Sequence, residues 1–303
     1  MTLETFIDHK FNSKSLSLIW MCNDIIGEYD DIALSLRQLY YQLVARGYIA
    51  NTERSYKNIG NLVSKAREAG MISWDAIEDR NRGARQVMGK DNAQSVLFGL
   101  EHQIIIDPWD DQEIYPEVWV EKDALSGTVS PTANRYRATW LACKGYISAS
   151  EAWRAGHRMR TASLRGQQPV IIHLGDHDPS GLDMTRDNQT RASLFAAHGI
   201  DVEIRRIALN MPQIELYDPP PNPAKLSDVR AADYVAEYGD SSWELDALRP
   251  DVIADLVETA LEECITDRNA WDEVREREDE QKQHLSQLYS RWDEVVDLLD
   301  GDF

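Results

Sequence analysis

The chain has 303 residues, of which 43% are hydrophobic and 28% are charged, a composition typical of a globular protein of about two domains. Its 52 acidic residues against 32 Lys and Arg give a formal net charge of −20, which argues against a protein that coats nucleic acid. The sequence has no run of about 18 apolar residues, no basic and apolar leader, and no zinc-type cysteine spacing. We therefore expect a cytoplasmic protein with reduced thiols and no membrane association.

The negative charge is unevenly distributed along the chain. Residues 251–303 hold 17 acidic residues against 5 Lys and Arg, a net charge of −12. Residues 51–90 hold 8 Lys and Arg against 5 acidic residues, a net charge of +3. Because phosphate binding depends on clustered Lys and Arg, residues 51–90 are the part of the chain that can present a DNA-binding face.

Three amphipathic helices are predicted in the first 70 residues, and the second of them contains two adjacent tyrosines. Its apolar stripe follows i, i+3, i+4, i+7 and i+8 spacing and consists of Leu36, Leu39, Tyr40, Leu43 and Val44. Tyr40 is therefore predicted to be buried. Tyr41 is rotated by about 100° from the stripe and shares a helix face with Arg37. From the pattern alone, the simplest interpretation of Tyr41 is a boundary aromatic beside a long cation.

The third helix lies between Asn51-Thr52 and Gly70 and combines a buried stripe with a polar face. Residues 71–82 resemble a short wing. Three helices followed by a wing is the arrangement of a winged helix-turn-helix, whose third helix enters a DNA groove, although a charged surface helix is the alternative. The residues expected to contact DNA are Arg54, Lys57, Lys65, Arg67, Arg80 and Arg82.

The middle of the chain predicts an α/β domain. Strands alternate with helical sequence from about residue 115 to 215, which favours a parallel sheet. The predicted elements are a connecting helix at 90–106, a linker at 107–111, a strand ending at Glu121, a helix at 139–143, a strand at 170–174, a helix at 185–197, a strand at 202–209 and a proline-rich loop at 219–223. The predicted domains are 1–88 for DNA binding, 89–114 as a connection, 115–240 for the α/β domain and 241–303 for an acidic helical region.

Two of the predicted strands end in acidic residues. Glu121 follows the first strand, and Asp176 and Asp178 follow the strand at 170–174. Residues at i and i+2 of an extended segment point the same way, and open α/β sheets bind ligands at the carboxyl ends of their strands. Oxygen ligands of this kind suit Mg²⁺, or Mn²⁺ in its place. A turn with solvated carboxylates is the alternative for the aspartate pair.

The order of these features resembles the catalytic A subunit of topoisomerase VI and the related meiotic double-strand-break transesterase. The resemblance rests on Arg37-Gln38-Leu39-Tyr40-Tyr41, on Glu121, on Gly175–Gly181 and on Trp243–Leu248, and it covers about residues 15–250. Those proteins join a winged helix that bears a catalytic tyrosine to a Toprim domain, a small α/β module that holds Mg²⁺ with a Glu and an Asp-x-Asp motif. The resemblance implies that Tyr41 is the nucleophile and Arg37 its supporting cation.

The same resemblance implies that Glu121, Asp176 and Asp178 bind the metal and that Glu121 is also catalytic. The chain departs from the family at Gln38, where an acidic residue is usual. The implied function is Mg²⁺-dependent double-strand cleavage of DNA by tyrosine transesterification. In the family the site is assembled between two protomers, so the implied assembly is a C2 homodimer.

Two other classes of function remain open at this point. A Toprim endonuclease would use the same acids with water as the nucleophile and would form no covalent link to DNA. A non-catalytic DNA-binding or assembly subunit would need neither the tyrosine nor the metal. The sequence contains no nucleotide-binding loop, so strand passage would require a separate ATPase subunit.

Overall fold

The computed structural model describes residues 3, 5–29, 33–77, 93–101, 104–196, 199–225 and 227–300. The chain divides into two compact units, Met1–Asn81 with Tyr115–Cys264, and Arg82–Ile114 with Ile265–Phe303. Residues 241–264 thus belong to the first unit, together with the N-terminal helices and the sheet. No helix within the described ranges combines the length and apolarity needed to cross a bilayer.

The described elements alternate between helices and short strands. The helices are α1 (Ser13–Gly27), α2 (Leu36–Ala45), α3 (Glu53–Glu68), α4 (Ala93–Glu101), α5 (Ser126–Arg135), α6 (Ala149–Leu164), α7 (Pro179–Ala196), α8 (Met211–Tyr217), α9 (Ala231–Tyr238), α10 (Pro250–Glu262), α11 (Arg268–Ser290) and α12 (Trp292–Asp300). The strands are β1 (Ile114–Val120), β2 (Thr139–Ala142), β3 (Gln168–Leu174), β4 (Glu203–Ala208), β5 (Asn222–Pro223) and β6 (Ser241–Ser242).

The N-terminal helices share one apolar core. It includes Ile19 of α1, Leu39 of α2 and Ile59 of α3, and Ala247 packs against the same cluster. Helix α2 starts with a capping box, in which the Ser35 side chain and the side chain at position 38 each bond the other's backbone. Residues 71–77 are mainly turns, and Ile77 forms an isolated parallel bridge with Leu34. The rest of the predicted wing, including Arg80 and Arg82, lies outside the described residues.

The predicted parallel α/β sheet is confirmed. Its four strands have the order β2-β1-β3-β4, with β1 parallel to β2 and β3 parallel to β4. The central strands β1 and β3 are mostly buried, as expected where both faces of a parallel sheet are covered. On one face, Trp119 and Ile171 share a core cluster with Met159 of α6 and Ala192 of α7.

The predicted helix at 139–143 is wrong. These residues form strand β2, in which Thr139 pairs with Glu117 of β1. The apolar run is only four residues long, so it carries no helical periodicity, and pairing with the neighbouring strand decides its conformation.

Helix α7 begins six residues earlier than the sequence predicts. Pro179 is its first residue, a position where the missing N–H costs nothing. Asp178 caps the helix, because its Oδ1 accepts hydrogen bonds from Gly181 N at 2.6 Å and from Ser180 Oγ at 2.9 Å. The Asp-x-Asp-Pro-x-Gly segment thus connects strand β3 to helix α7, and its second aspartate is the N-cap of the helix.

The second unit contains the predicted linker at 107–111, which is packed rather than free. The indole of Trp109 is 2% exposed and lies edge-on to Trp271, with ring centroids 4.7 Å apart. The side chain of Gln112 accepts hydrogen bonds from the backbone N–H groups of Thr266 and Asp267, both at 2.8 Å. An aromatic ring of this size is normally buried, and here it fixes the segment against α11.

Candidate metal and tyrosine site

Glu121 and Asp176 meet at the carboxyl edge of the sheet. Glu121 follows β1, Asp176 follows β3, and these strands are neighbours in the sheet. The backbone N–H of Glu121 donates to Leu174 O at 2.8 Å, and the N–H of Asp176 donates to Glu121 Oε2 at 2.8 Å. The structure thus brings these two predicted ligands into direct contact, and Asp178 caps α7 two residues later.

Each of the three predicted ligands uses one carboxylate oxygen to hold the fold. Glu121 uses Oε2, Asp178 uses Oδ1 as the helix cap, and Asp176 uses Oδ1, which accepts from Leu245 N at 2.7 Å and contacts Lys122 Nζ at 2.8 Å. The second oxygen of each carboxylate accepts no hydrogen bond from the described part of the chain. Carboxylate oxygens suit Mg²⁺ or Mn²⁺, but Glu121, Asp176 and Asp178 do not place three oxygens within 4.8 Å of one another.

A second group of acids shares Asp176. Oxygens of Asp176, Glu244 and Asp246 all lie within 4.8 Å of one another, and Glu121 and Asp178 are not members of this group. The Lys122 ammonium group contacts all three, including Asp246 Oδ1 at 2.7 Å. The sequence interpretation missed Lys122 and gave Glu244 and Asp246 no role, although their i, i+2 spacing repeats that of Asp176 and Asp178.

Side-chain cations partly compensate the charge of this second group. Arg37 of α2 contacts Glu244 Oε2 at 2.6 Å and Asp246 Oδ2 at 2.8 Å. Lys122 and Arg37 therefore place two positive charges against three carboxylates. Glu121 and Asp178, by contrast, form no ion pair with any described residue. The group of Asp176, Glu244 and Asp246 pins residues 243–247 across the sheet edge, and Glu121 and Asp178 lie outside its ion pairs.

Burial makes the site unfavourable for uncompensated negative charge. Burial raises the pKa of Asp176 to about 8, although Lys122 acts in the opposite direction. Burial also raises the pKa of Glu121, and the charge on Asp178 adds to this effect while Lys122 and Arg206 oppose it. A divalent cation at these oxygens would favour the ionised carboxylates.

Arg206 of β4 holds the turn that carries the aspartates. Its buried guanidinium group donates to Asp176 O at 2.6 Å, Gly175 O at 2.9 Å and Gly181 O at 3.2 Å. A Cβ atom at Gly181 would lie 2.2 Å from Asp176 O, so only glycine fits there. An arginine inside a strand sequence gives no local signal of this contact, and the sequence interpretation did not find it.

His177, which stands between the two aspartates, is 3% exposed and points into the protein. Its backbone exchanges two hydrogen bonds with Trp243, at 2.8 and 3.0 Å. Its ring lies among Tyr234, Tyr238 and Trp243, with Nδ1 2.9 Å from the Tyr234 hydroxyl. Burial lowers the pKa of His177 to about 4, so the ring is neutral at pH 7 and serves packing.

Tyr41 lies within the same compact unit as the acids. Its side chain is 4% exposed, and its hydroxyl accepts a hydrogen bond from Asn222 Nδ2 at 3.4 Å. The Arg37 guanidinium carbon lies 5.9 Å from the centroid of the Tyr41 ring. Burial raises the pKa of Tyr41 and Glu244 adds to the rise, while Asn222 and Arg37 oppose it. Arg37 thus acts on Tyr41 in the expected direction, but burial outweighs it in the free chain.

Tyr40 is as buried as Tyr41, so burial does not distinguish them. The Tyr40 hydroxyl donates to Asn51 Oδ1 at 2.9 Å and lies 3.2 Å from Thr52 O, which ties the ring to the segment before α3. Both tyrosines line a pocket of about 330 Å³ together with Arg37, Asn51 and Asn222. The difference lies in the partners, because only Tyr41 has a cation against its ring.

The predicted DNA-contacting residues have different environments. Arg54 and Lys65 are exposed on α3. Lys57 is also exposed, and its ammonium group lies 2.6 Å from Glu53 Oε1, an i, i+4 pair of small energetic value. Arg67 is partly buried, donates to Trp74 O at 2.8 Å and stacks on the Trp74 ring at 4.5 Å, so it is tied to the turn after α3.

The buried side chain of His173 is expected to make the free energy of unfolding depend on pH. It is fully buried on β3, and burial lowers its pKa from 6.5 to about 3, with the charge of Arg206 adding to the effect. Between these pH values the unfolded chain binds a proton that the folded chain does not, so stability falls as pH falls. We expect this histidine to remove about 2 kcal/mol of unfolding free energy between pH 7 and pH 5.

Urea unfolding at both pH values, compared with a His173→Gln variant, isolates this contribution from those of Asp176 and His177. Glutamine can still exchange hydrogen bonds with Thr185 and Asn188. We expect the variant to show a pH dependence weaker by that amount. An unchanged difference between pH 7 and pH 5 would show that His173 is not held neutral.

No protein-family model, curated protein or solved structure matches this chain.

Proposed function

We propose that this protein cleaves double-stranded DNA by transesterification, with Tyr41 as the nucleophile and Mg²⁺ as the cofactor. In this reaction the Tyr41 oxygen loses its proton and bonds to a backbone phosphorus. The bond between that phosphorus and the 3′ oxygen breaks, and the released 3′ oxygen takes up a proton to become a 3′ hydroxyl. The product is a 5′-phosphotyrosyl link. Cleavage of both strands needs two such tyrosines, which supports a C2 homodimer as the active form.

The observation that carries the proposal is the bridging position of Arg37. Its guanidinium group lies against the Tyr41 ring and is also ion-paired with Glu244 and Asp246. Those acids are joined through Lys122 to Asp176, one of the predicted metal ligands. A tyrosine hydroxyl is a weak nucleophile at pH 7 because its ordinary pKa is about 10, so it needs nearby positive charge. Here one arginine joins the tyrosine to the acids of the sheet edge.

Mg²⁺ would be held by the spare oxygens of Glu121, Asp176 and Asp178. When bound, it supplies positive charge that stabilises a pentavalent phosphorus and the departing oxygen. Mg²⁺ usually keeps several waters, so the three carboxylates need not meet at one point. Arg206 and the Asp178 cap keep the two aspartates in place.

A hydrolytic nuclease is the second candidate, and the burial of Tyr41 favours it. Tyr41 is 4% exposed and burial raises its pKa, whereas the spare carboxylate oxygens face no described partner. A water molecule could then act as the nucleophile at the same acids. The two candidates differ in whether the protein remains attached to the DNA.

Incubation with supercoiled plasmid and Mg²⁺ or Mn²⁺, followed by denaturation with and without protease, tests the proposal. For a transesterase, linear DNA should enter the gel only after protease treatment, because the protein is attached to its 5′ ends. Free ends without protease would support the nuclease. Absence of cleavage, alone and with a supplied ATPase subunit, would contradict both and leave a DNA-binding or assembly subunit.

A further inference from the structure

A second pocket, of about 420 Å³, lies between the segment that precedes α1 and the polar face of α3. It shares no residue with the Tyr41 pocket or with the sheet-edge acids. The residues that give it charge are Lys10 and Lys14 near the start of α1 and Lys65 on α3. Two separate parts of the chain thus bring three lysines to one opening.

The charge of this pocket differs from that of the rest of the protein. Acidic residues outnumber Lys and Arg by 52 to 32 in the chain, yet no acidic residue lines the pocket. Lys10, Lys14 and Lys65 form no ion pair with any described residue. His9, which also lines the pocket, is paired with Glu68 at 2.6 Å and is not a free cation. The three lysines therefore present uncompensated positive charge.

The remaining lining adds amide and apolar groups. Asn58 and Asn61 lie on one face of α3, and their side chains take no hydrogen bond from the described residues. Phe11 and Leu62 contribute partly buried apolar surface. Cations suit a phosphate group, asparagine amides suit a base edge, and an aromatic ring suits the face of a base or sugar. This combination matches a nucleotide better than a bare inorganic anion.

We propose that this pocket binds one phosphorylated nucleotide unit of a DNA strand, with Lys10, Lys14 and Lys65 against the phosphate. The inference rests on the proposed function in taking DNA as the substrate, and it adds a contact outside the cleavage site. It assigns a role to the segment before α1, which the DNA-binding prediction for α3 did not include. The pocket would hold the substrate strand without taking part in cleavage.

Fluorescence anisotropy with a labelled 20-base-pair duplex in EDTA tests this site, since binding without metal requires no cleavage. Single Lys14→Ala and Lys65→Ala variants are compared with the parent between 50 and 200 mM NaCl. Each variant should lower the slope of log affinity against log salt by about 0.9 and weaken binding by roughly tenfold at the low-salt end. An Asn61→Ala variant should weaken binding without changing the slope, because it removes no charge.

Lys282→Ala is the matched control, because it removes the same charge from α11, where Lys282 is paired with Glu278. It should bind as the parent does. Pocket variants that also match the parent, or a parent that does not bind the duplex at 50 mM NaCl, would overturn the proposal. If dAMP at low micromolar concentration displaces the duplex, the ligand of the pocket is a free nucleotide and not a unit of a DNA strand. If the pocket variants weaken DNA binding but the parent forms no covalent adduct with DNA, only the proposed transesterase activity is contradicted.

Discussion

Replacing Tyr41 by Phe is expected to abolish the covalent protein–DNA link. The substitution removes the only atom that can attack the phosphorus and keeps the ring against Arg37. The hydrogen bond that is lost, from Asn222 Nδ2, is long at 3.4 Å, so the cost in stability should be below about 1 kcal/mol. Fold, Mg²⁺ affinity and DNA affinity should be those of the parent, while protease-dependent linear DNA falls below detection.

Tyr40→Phe is the matched control for this prediction. It removes the neighbouring hydroxyl, which bonds Asn51 at 2.9 Å, and should lower stability by about 1 kcal/mol with cleavage intact. Urea unfolding and the plasmid assay measure the two effects on the same preparations. A Tyr41→Phe protein that still cuts DNA and leaves free ends would assign the acids to a hydrolytic nuclease.

Replacing Asp178 by Asn should abolish Mg²⁺-dependent cleavage while leaving the fold intact. Asparagine is as good a helix cap as aspartate, so the bonds from Gly181 N and Ser180 Oγ can be kept. What is lost is one negative charge among the proposed ligands. Loss of a residue that only supports a metal ligand typically lowers metal affinity roughly 10-fold to 100-fold. Calorimetric titration of the Asp178→Asn protein should show a loss of Mg²⁺ affinity at least as large.

Asp183→Asn provides the control for charge alone. Asp183 lies on the same helix and is paired with Arg230 at 2.6 Å. Its replacement removes an equal charge away from the proposed ligands, so Mg²⁺ affinity and cleavage should be unchanged. Equal Mg²⁺ affinity in the parent and the Asp178→Asn protein would show that Asp178 is not a ligand. The metal site would then be expected at Asp176, Glu244 and Asp246.

The sequence predicts the sheet edge well because the relevant signals are local. An apolar run that leads into Asp-x-Asp identifies β3 and its acids, and an apolar run before Glu121 identifies β1. Their meeting at one edge follows from parallel strand pairing. Strand β2 is missed because four residues carry no periodicity, and the packed segment at 107–111 is missed because its acidic residues suggest a linker.

The network around Lys122 could not be predicted from local pattern. Lys122 and Asp246 are 124 positions apart, and Arg37 and Glu244 are 207 apart. Each residue alone is compatible with an exposed surface position. Only the packing of α2 against residues 245–247 brings the tyrosine helix and the acids together. The same long-range packing decides that Tyr41 is buried, which its position off the apolar stripe did not indicate.

Mass spectrometry of the cleavage product tests directly whether Tyr41 is the nucleophile. After reaction with Mg²⁺, denaturation and nuclease digestion of the DNA, trypsin releases the peptide between Arg37 and Arg46, which contains both Tyr40 and Tyr41. Fragmentation of this peptide locates any attached nucleotide. We predict a nucleotide phosphate on Tyr41 and an unmodified Tyr40. A nucleotide on Tyr40, or cut DNA with both tyrosines unmodified, would contradict it.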